Sequence, residues 1–495
     1  MNKIKPFYLF LCLGVVLSLL FSSGQVENPD THLRLTQSRL MLFEGKLGLS
    51  EQMGEDSHGN VATNQLGERY MVYNPGQSLI FIPIYWLASI TSENDAENYY
   101  NSAFLVSFLN MLIHAFCSFV LFRISYLLSL SLNKSYFVAF VFCLTSYSFS
   151  FAQSTYEHHF EMLSILLGFY FILDKNVNNR VFLAGVAISI GLIFRTTTIF
   201  ALPALMMLCE RKQWLYLFLG TSIGILIIAF YNYFRFHNFL ESGYDIAWRL
   251  ANGDNIDFWS LKRIPTALFG LLLSPAKGLL IFSPTILFGF FSMKKFFLLN
   301  PKISWSILIL CTVYLLIFSM NFAWHGSIWS FGPRYILPIL PFLYLPLIYL
   351  NVKKWHYVVF VIASMSQVLL MSVNYKRELL EQLYISKSIN EIEFLNQTKN
   401  IPYLYQVKQL NEIIPKNFNG SLRNYFPNCP WKKEIRTGTT EQVLNYSIEK
   451  NSINFWWARV FNWRTHLLSR IFTIIILLFS IFGLFYFIRN AKKIF

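Results

Sequence analysis

Charge is what this chain has least of: only 14% of its 495 residues are Asp, Glu, Lys or Arg, while 55% are hydrophobic and 18% aromatic. A soluble globule of this length would need far more polar surface, so that class is excluded. Cysteine is sparse as well. Cys12, Cys117, Cys143, Cys209 and Cys311 lie in or at the ends of apolar runs, and Cys429 stands alone in a polar stretch. This pattern offers neither a disulfide framework nor a metal-type spacing. A P-loop and a G-x-G-x-x-G pattern on a strand–helix unit are both missing, which removes a nucleotide-binding fold. No internal repeat is seen, so a transporter built of inverted repeats finds no support.

What is present is a series of nearly uncharged runs of roughly 17 to 25 residues, the length that crosses a bilayer as helix. The opening "MNKIKPFYLFLCLGVVLSLLFSSG" has a basic head and an apolar run that reads as an uncleaved first helix rather than a signal peptide. Further spans are expected near 101–122, 136–152, 160–173, 181–194, 196–209, 213–233, 264–290, 303–320, 335–350, 355–372 and 466–488. The fold class is therefore an all-α polytopic membrane protein of about twelve transmembrane helices. The run 76–90 carries a proline and suits an interfacial or re-entrant segment.

The formal net charge of +15 reads as topology rather than affinity for nucleic acid. If 76–90 stays outside, Arg123 and Lys134, Lys175 and Arg180, Arg211 and Lys212, Lys294 and Lys295, Lys353 and Lys354, and Arg489, Lys492 and Lys493 all fall in the cytoplasm. Both termini are then cytoplasmic. The chain divides into a membrane module over 1–372 with a first external loop at 25–100, an external region of mixed structure at 373–463, and a last span with a basic tail at 464–495.

Several stretches assigned to the outer face carry chemistry. In "NPDTHLRLTQSRLMLFEGKLGL", Leu33, Leu35, Leu40, Leu42 and Phe43 recur near helical spacing with Arg34, Gln37, Ser38 and Glu44 between them, which predicts a helix lying at the membrane surface. Asp30 at its start reads either as the N-cap or as a base tethered beside the lipid headgroups, and the two roles are compatible. "YNPG" (73–76) marks a turn among the interface-favouring aromatics Tyr70, Tyr73, Tyr85 and Trp86. "STYEHHFEML" gathers Glu157, His158, His159 and Glu161, either as a polar loop entering a helix or as a proton-handling or divalent-metal set. Arg195 interrupts a long apolar stretch; it either serves function inside the membrane or snorkels from a helix end. Lys277 in "SPAKGL" and Arg334 in "GPRY", the latter near Trp324, His325 and Trp329, stand beside helix-breaking prolines. They suit a phosphate or pyrophosphate, or anchor the chain at the interface.

Taken as a set, the early acid, the loop helices, the Y-x-P-G turn, "SPAKGL" and "WHGSIWSFGPRY" resemble the GT-C superfamily of bacterial membrane glycosyltransferases over roughly residues 1–350. The nearest groups are the protein O-mannosyltransferase and lipid A aminoarabinose transferase types. The resemblance implies a GT-C-like bundle in the inner membrane. It further implies an inverting transfer of a sugar from a polyprenyl-phosphate donor to a glycan, lipid or protein acceptor at the periplasmic face. Asp30 would be the base, Arg334, Lys277 and Arg195 would bind the donor phosphate, and Arg34, Tyr73, Glu157, His158 and His159 would line the substrate. Family members often carry an acidic pair where this chain has Asp30 followed by Thr31 and His32, so a divalent metal stays open. The alternatives are a polysaccharide polymerase or ligase using a lipid-pyrophosphate donor, and a lipid-linked-substrate transporter or flippase. The external region 373–463 is expected to help choose the acceptor.

Overall fold

The structure is a computed structural model that describes residues 6–26, 28–49, 60–91, 94–252, 257–326, 330–373, 395–396, 398, 401–418, 453–463 and 467–491. Among them five helices are long and apolar enough to cross a bilayer: Glu97–Ser129, Arg211–Phe236, Pro301–Met320, Lys354–Met371 and Leu467–Phe485. Six shorter apolar segments accompany them, Pro6–Phe21, Leu132–Thr145, His158–Leu173, Arg180–Phe194, Thr196–Leu208 and Arg334–Tyr349. These eleven fall on eleven of the twelve expected spans. The twelfth, 264–290, is corrected. It divides into helices Ile264–Leu273, Leu279–Phe282 and Leu287–Leu299, interrupted near Pro275 and Pro284, because proline lacks the N–H that continues a helix and its ring clashes with the preceding turn.

The expected interfacial run 76–90 is a 14-residue helix, Gly76–Ser89, with Pro83 inside it. The first loop also holds the helix Pro29–Phe43 and an antiparallel hairpin, Val61–Thr63 against Arg69–Met71, in which Ala62 faces Tyr70. Arg235, at the end of the helix Trp214–Phe236, fastens this loop to the bundle. Its fully buried guanidinium donates to the Met71 carbonyl (2.6 Å) and to Asn232 Oδ1 (2.8 Å), and it lies 4.0 Å from the centre of the Tyr231 ring. Of the region 373–463, the helices Pro402–Phe418 and Trp456–Trp463 are described; 374–394 and 419–452 lie outside the described residues.

Candidate active site

The helix Pro29–Phe43 is where expectation and structure differ most usefully. Its N-cap is Asn28, whose side chain accepts from the Thr31 amide at 2.8 Å, and Pro29 fills the first helical position. Asp30 is therefore relieved of the capping role, and its carboxylate stays partly exposed in the first turn. The expected surface amphipathicity is corrected too. Arg34, Gln37 and Ser38 are buried alongside Leu33, Leu35 and Leu40, because the polar side has its own partners in the fold. Ser38 donates to the Ser78 carbonyl (2.8 Å), Gln37 to Tyr231 (3.2 Å), and Arg34 meets Glu157.

The short connection before helix His158–Leu173 gathers these pieces. Thr155 accepts from Asn28 (2.9 Å), Thr31 (3.0 Å) and Gln77 (2.7 Å). Two residues on, Glu157 receives Arg195 Nη1 at 2.6 Å and stands 2.9 Å from Arg34 Nη2; Arg195 Nε in turn stands 3.0 Å from Glu161. The Arg34–Glu157 and Arg195–Glu161 approaches are charge contacts rather than aligned hydrogen bonds, since Glu157 Oε2 and Glu161 Oε2 have no bonding partner among the described residues. Glu161 Oε1 accepts from Thr197 (2.7 Å) and Tyr314 (2.9 Å). Two arginines and two glutamates thus cancel in a buried ladder.

Burial pushes the Glu157 carboxyl up, but Arg34 and Arg195 outweigh it and hold it at about 2. The linkage sign follows from a depressed carboxylate. Its contribution is complete above its ordinary value of 4.5 and is lost only as pH falls toward about 2. Titrating Glu157 therefore leaves the unfolding midpoint in detergent flat between about pH 8 and 5 and lowers it in stronger acid; comparing wild type with Glu157→Gln over that range isolates this term.

Asp30 adds a further negative charge near this ladder. Its charge acts on Arg34, Tyr73, Tyr156 and Arg334, and Tyr73 lies within hydrogen-bonding reach of it. The Arg34 guanidinium sits 4.0 Å over the Tyr73 ring, and that of Arg334 sits 4.5 Å over Tyr156 and 5.2 Å over Tyr335. Arg34 Nη1 and Arg334 Nε, both buried, have no hydrogen-bond partner among the described residues. One carboxylate thus lies within electrostatic reach of two guanidiniums that each keep an N–H unanswered among the described residues.

The motifs "SPAKGL" and "GPRY" together build the wall that holds Arg334. The Gly332 amide donates to the Ala276 carbonyl (3.2 Å), and Lys277 Nζ bonds to the Ser330 carbonyl and hydroxyl. Gly326 and Gly332 have φ of +66° and +67°, and an added Cβ would lie 2.8 Å from Arg334 and 2.4 Å from the Tyr147 ring respectively. Gly332→Ala is expected to lower the unfolding midpoint in detergent, at a cost of about 1–3 kcal/mol for overpacking and further strain at positive φ. His325, between Lys277 and Arg334, is driven down to about 3 by burial and by those two cations.

Of the candidates, Asp30, Arg34, Tyr73, Glu157, Arg195 and Arg334 come together. Arg195 is committed to the two glutamates, and Lys277 is wholly buried against Ser330. His158 stacks on Tyr335 at 6.0 Å, with both ring nitrogens unpartnered among the described residues. His159 turns into the bundle instead, where it meets Ser148 (3.2 Å), which also meets His114 (2.9 Å). Among the described residues no cluster of three or more His, Cys, Asp or Glu is placed to hold a metal, and Glu157 and Glu161 already face arginines. Trp329 lies outside the described residues. Tyr156, Tyr335 and Arg235 were not singled out from sequence. Arg235 carried a usable signal, since it ends an apolar run just as Arg195 interrupts one.

No family model and no curated protein matches the chain. Among solved structures it is similar to ArnT from Cupriavidus metallidurans bound to undecaprenyl phosphate, at 12% identity and a TM-score of 0.47, over 95% of this chain and 76% of that one. It is also similar to the archaeal oligosaccharyltransferase AglB from Archaeoglobus fulgidus in complex with an inhibitory peptide and a dolichol-phosphate, at 10% identity and 0.48, over 80% of this chain and 60% of that one. At these scores the likeness carries no argument, and the functional reading rests on this chain's own side chains.

Proposed function

We propose that this chain is a membrane glycosyltransferase that takes a sugar from a polyprenyl-phosphate donor at the outer face of the inner membrane. The observation that carries the reading is the Asp30 carboxylate set against Arg34 and Arg334, each with an unanswered buried N–H. The motif resemblance supports it independently. In the reaction, the acceptor hydroxyl gives its proton to Asp30 as its oxygen bonds to the anomeric carbon. The bond from that carbon to the phosphate oxygen breaks, and its electron pair leaves with the polyprenyl phosphate. Arg334, helped by Arg34, meets the negative charge that develops there. A single displacement inverts the anomeric centre. Tyr73 and His158 border the sugar, Arg195 serves as counter-ion to Glu157 and Glu161, and Lys277 braces the loop that carries Arg334.

The test offers proteoliposomes three substrates in turn: a polyprenyl-phosphate monosaccharide, a polyprenyl-pyrophosphate oligosaccharide, and a labelled lipid-linked sugar whose sidedness is followed without acceptor. Transfer from the first alone supports the proposal. Transfer from the second alone points to a polymerase or ligase, and translocation without transfer to a flippase; either outcome replaces it.

A further inference from the structure

The helix Pro402–Phe418 leaves three large apolar side chains uncovered. Its buried side is formed by Tyr405, Gln406, Gln409 and Ile413, while Leu404, Val407 and Ile414 are 60%, 48% and 40% exposed. Leu404, Val407 and Ile414 share one helical face with the exposed Asn411, and Lys408 stands at its edge. A helix facing water would keep polar side chains at 404, 407 and 414.

The buried glutamine explains where this helix sits. Gln406 Nε2 donates to the carbonyls of Val373 (2.9 Å) and Leu370 (3.3 Å), at the end of the candidate membrane span Lys354–Met371. Such terminal carbonyls lack partners within their own helix. The helix is also seated by Tyr403 against Phe282 (5.6 Å) and by Ile413 against Val373. The span beneath it exposes Val358, Val361, Ile362 and Met365, each 58–67%, as a lipid-facing stripe does. The helix Pro402–Phe418 therefore lies where that stripe runs out.

We propose that Leu404, Val407 and Ile414 dip into the boundary between headgroups and acyl chains of the bilayer, so that this helix is an interfacial anchor for the region beyond the span. Lys408 extends its ammonium to the lipid phosphates from the edge of the same face. The anchor is a property of this helix and does not depend on the glycosyltransferase reading.

The test places single cysteines at Leu404, Val407 and Ile414 of the full chain, labels them with an environment-sensitive fluorophore, and reconstitutes the protein in phosphatidylcholine–phosphatidylglycerol vesicles. Leu478→Cys, on the last span, serves as a lipid-exposed control, and Leu66→Cys, in the hairpin turn, as a water-exposed one; label on the native cysteines is subtracted using the unsubstituted chain. Emission at all three test sites is expected to fall about twofold in bilayers with brominated acyl chains, as at Leu478, with little response to iodide. Quenching by iodide alone would put the face in water. Protection from both quenchers would mean that protein covers it, from this chain or a second copy. Either result overturns the proposal.

Discussion

Asp30→Asn should abolish sugar transfer while leaving the protein folded. Asparagine preserves size and can still meet Tyr73, but it cannot take a proton from the acceptor hydroxyl. A positioned general base contributes about 10²- to 10⁴-fold, so the rate should fall by at least ~100-fold with donor affinity little changed. The fold should persist because the helix is capped by Asn28, not by Asp30. The control is the converse substitution. Asn28→Ala should cost about 0.5–2 kcal/mol of stability as a lost cap, with activity per folded molecule retained. A stability loss in Asp30→Asn comparable to that of Asn28→Ala would mean that the carboxylate is structural.

Glu157→Gln should produce the largest loss of stability. The carboxylate is 5% exposed and answers two arginines, Arg34 at 2.9 Å and Arg195 at 2.6 Å. Removing one partner of a buried ionic group costs about 3–5 kcal/mol, because the other charges are left uncompensated. Against a typical total of roughly 5–15 kcal/mol, that is enough to lower folded yield sharply. The double variant Glu157→Gln with Arg34→Met should be less destabilised than the sum of the single changes, since it removes one orphaned cation together with the carboxylate. Thermal unfolding in detergent of the four proteins measures this coupling; strict additivity would mean that Glu157 and Arg34 do not support each other.

The five long spans are legible because bilayer thickness sets the length an apolar helix needs, while the six shorter segments are legible only as apolar runs. The segment 264–290 reads as one span because Lys277 is the one charge within it, while Pro275 and Pro284, which break the backbone, leave its average hydropathy high. The burial of Arg34 and Ser38 could not be read from spacing, since an amphipathic pattern shows which residues share a face but not that Glu157 and Ser78 are waiting on the polar side. "SPAKGL" and "GPRY" were each visible as motifs; that Gly332 bonds to Ala276, and Lys277 to Ser330, is a tertiary fact. The adjacent histidines 158 and 159 separate for a simpler reason: neighbouring helical positions point about 100° apart, one toward Tyr335 and the other toward Ser148.

The most direct measurement follows labelled sugar and free polyprenyl phosphate together, in proteoliposomes holding either the wild-type chain or Asp30→Asn, with a polyprenyl-phosphate monosaccharide and a hydroxyl acceptor. A base at Asp30 predicts equal appearance of glycosylated acceptor and free polyprenyl phosphate in the wild type, and neither product in the variant. Equal turnover by both proteins, or no carrier phosphate released by either, would contradict it.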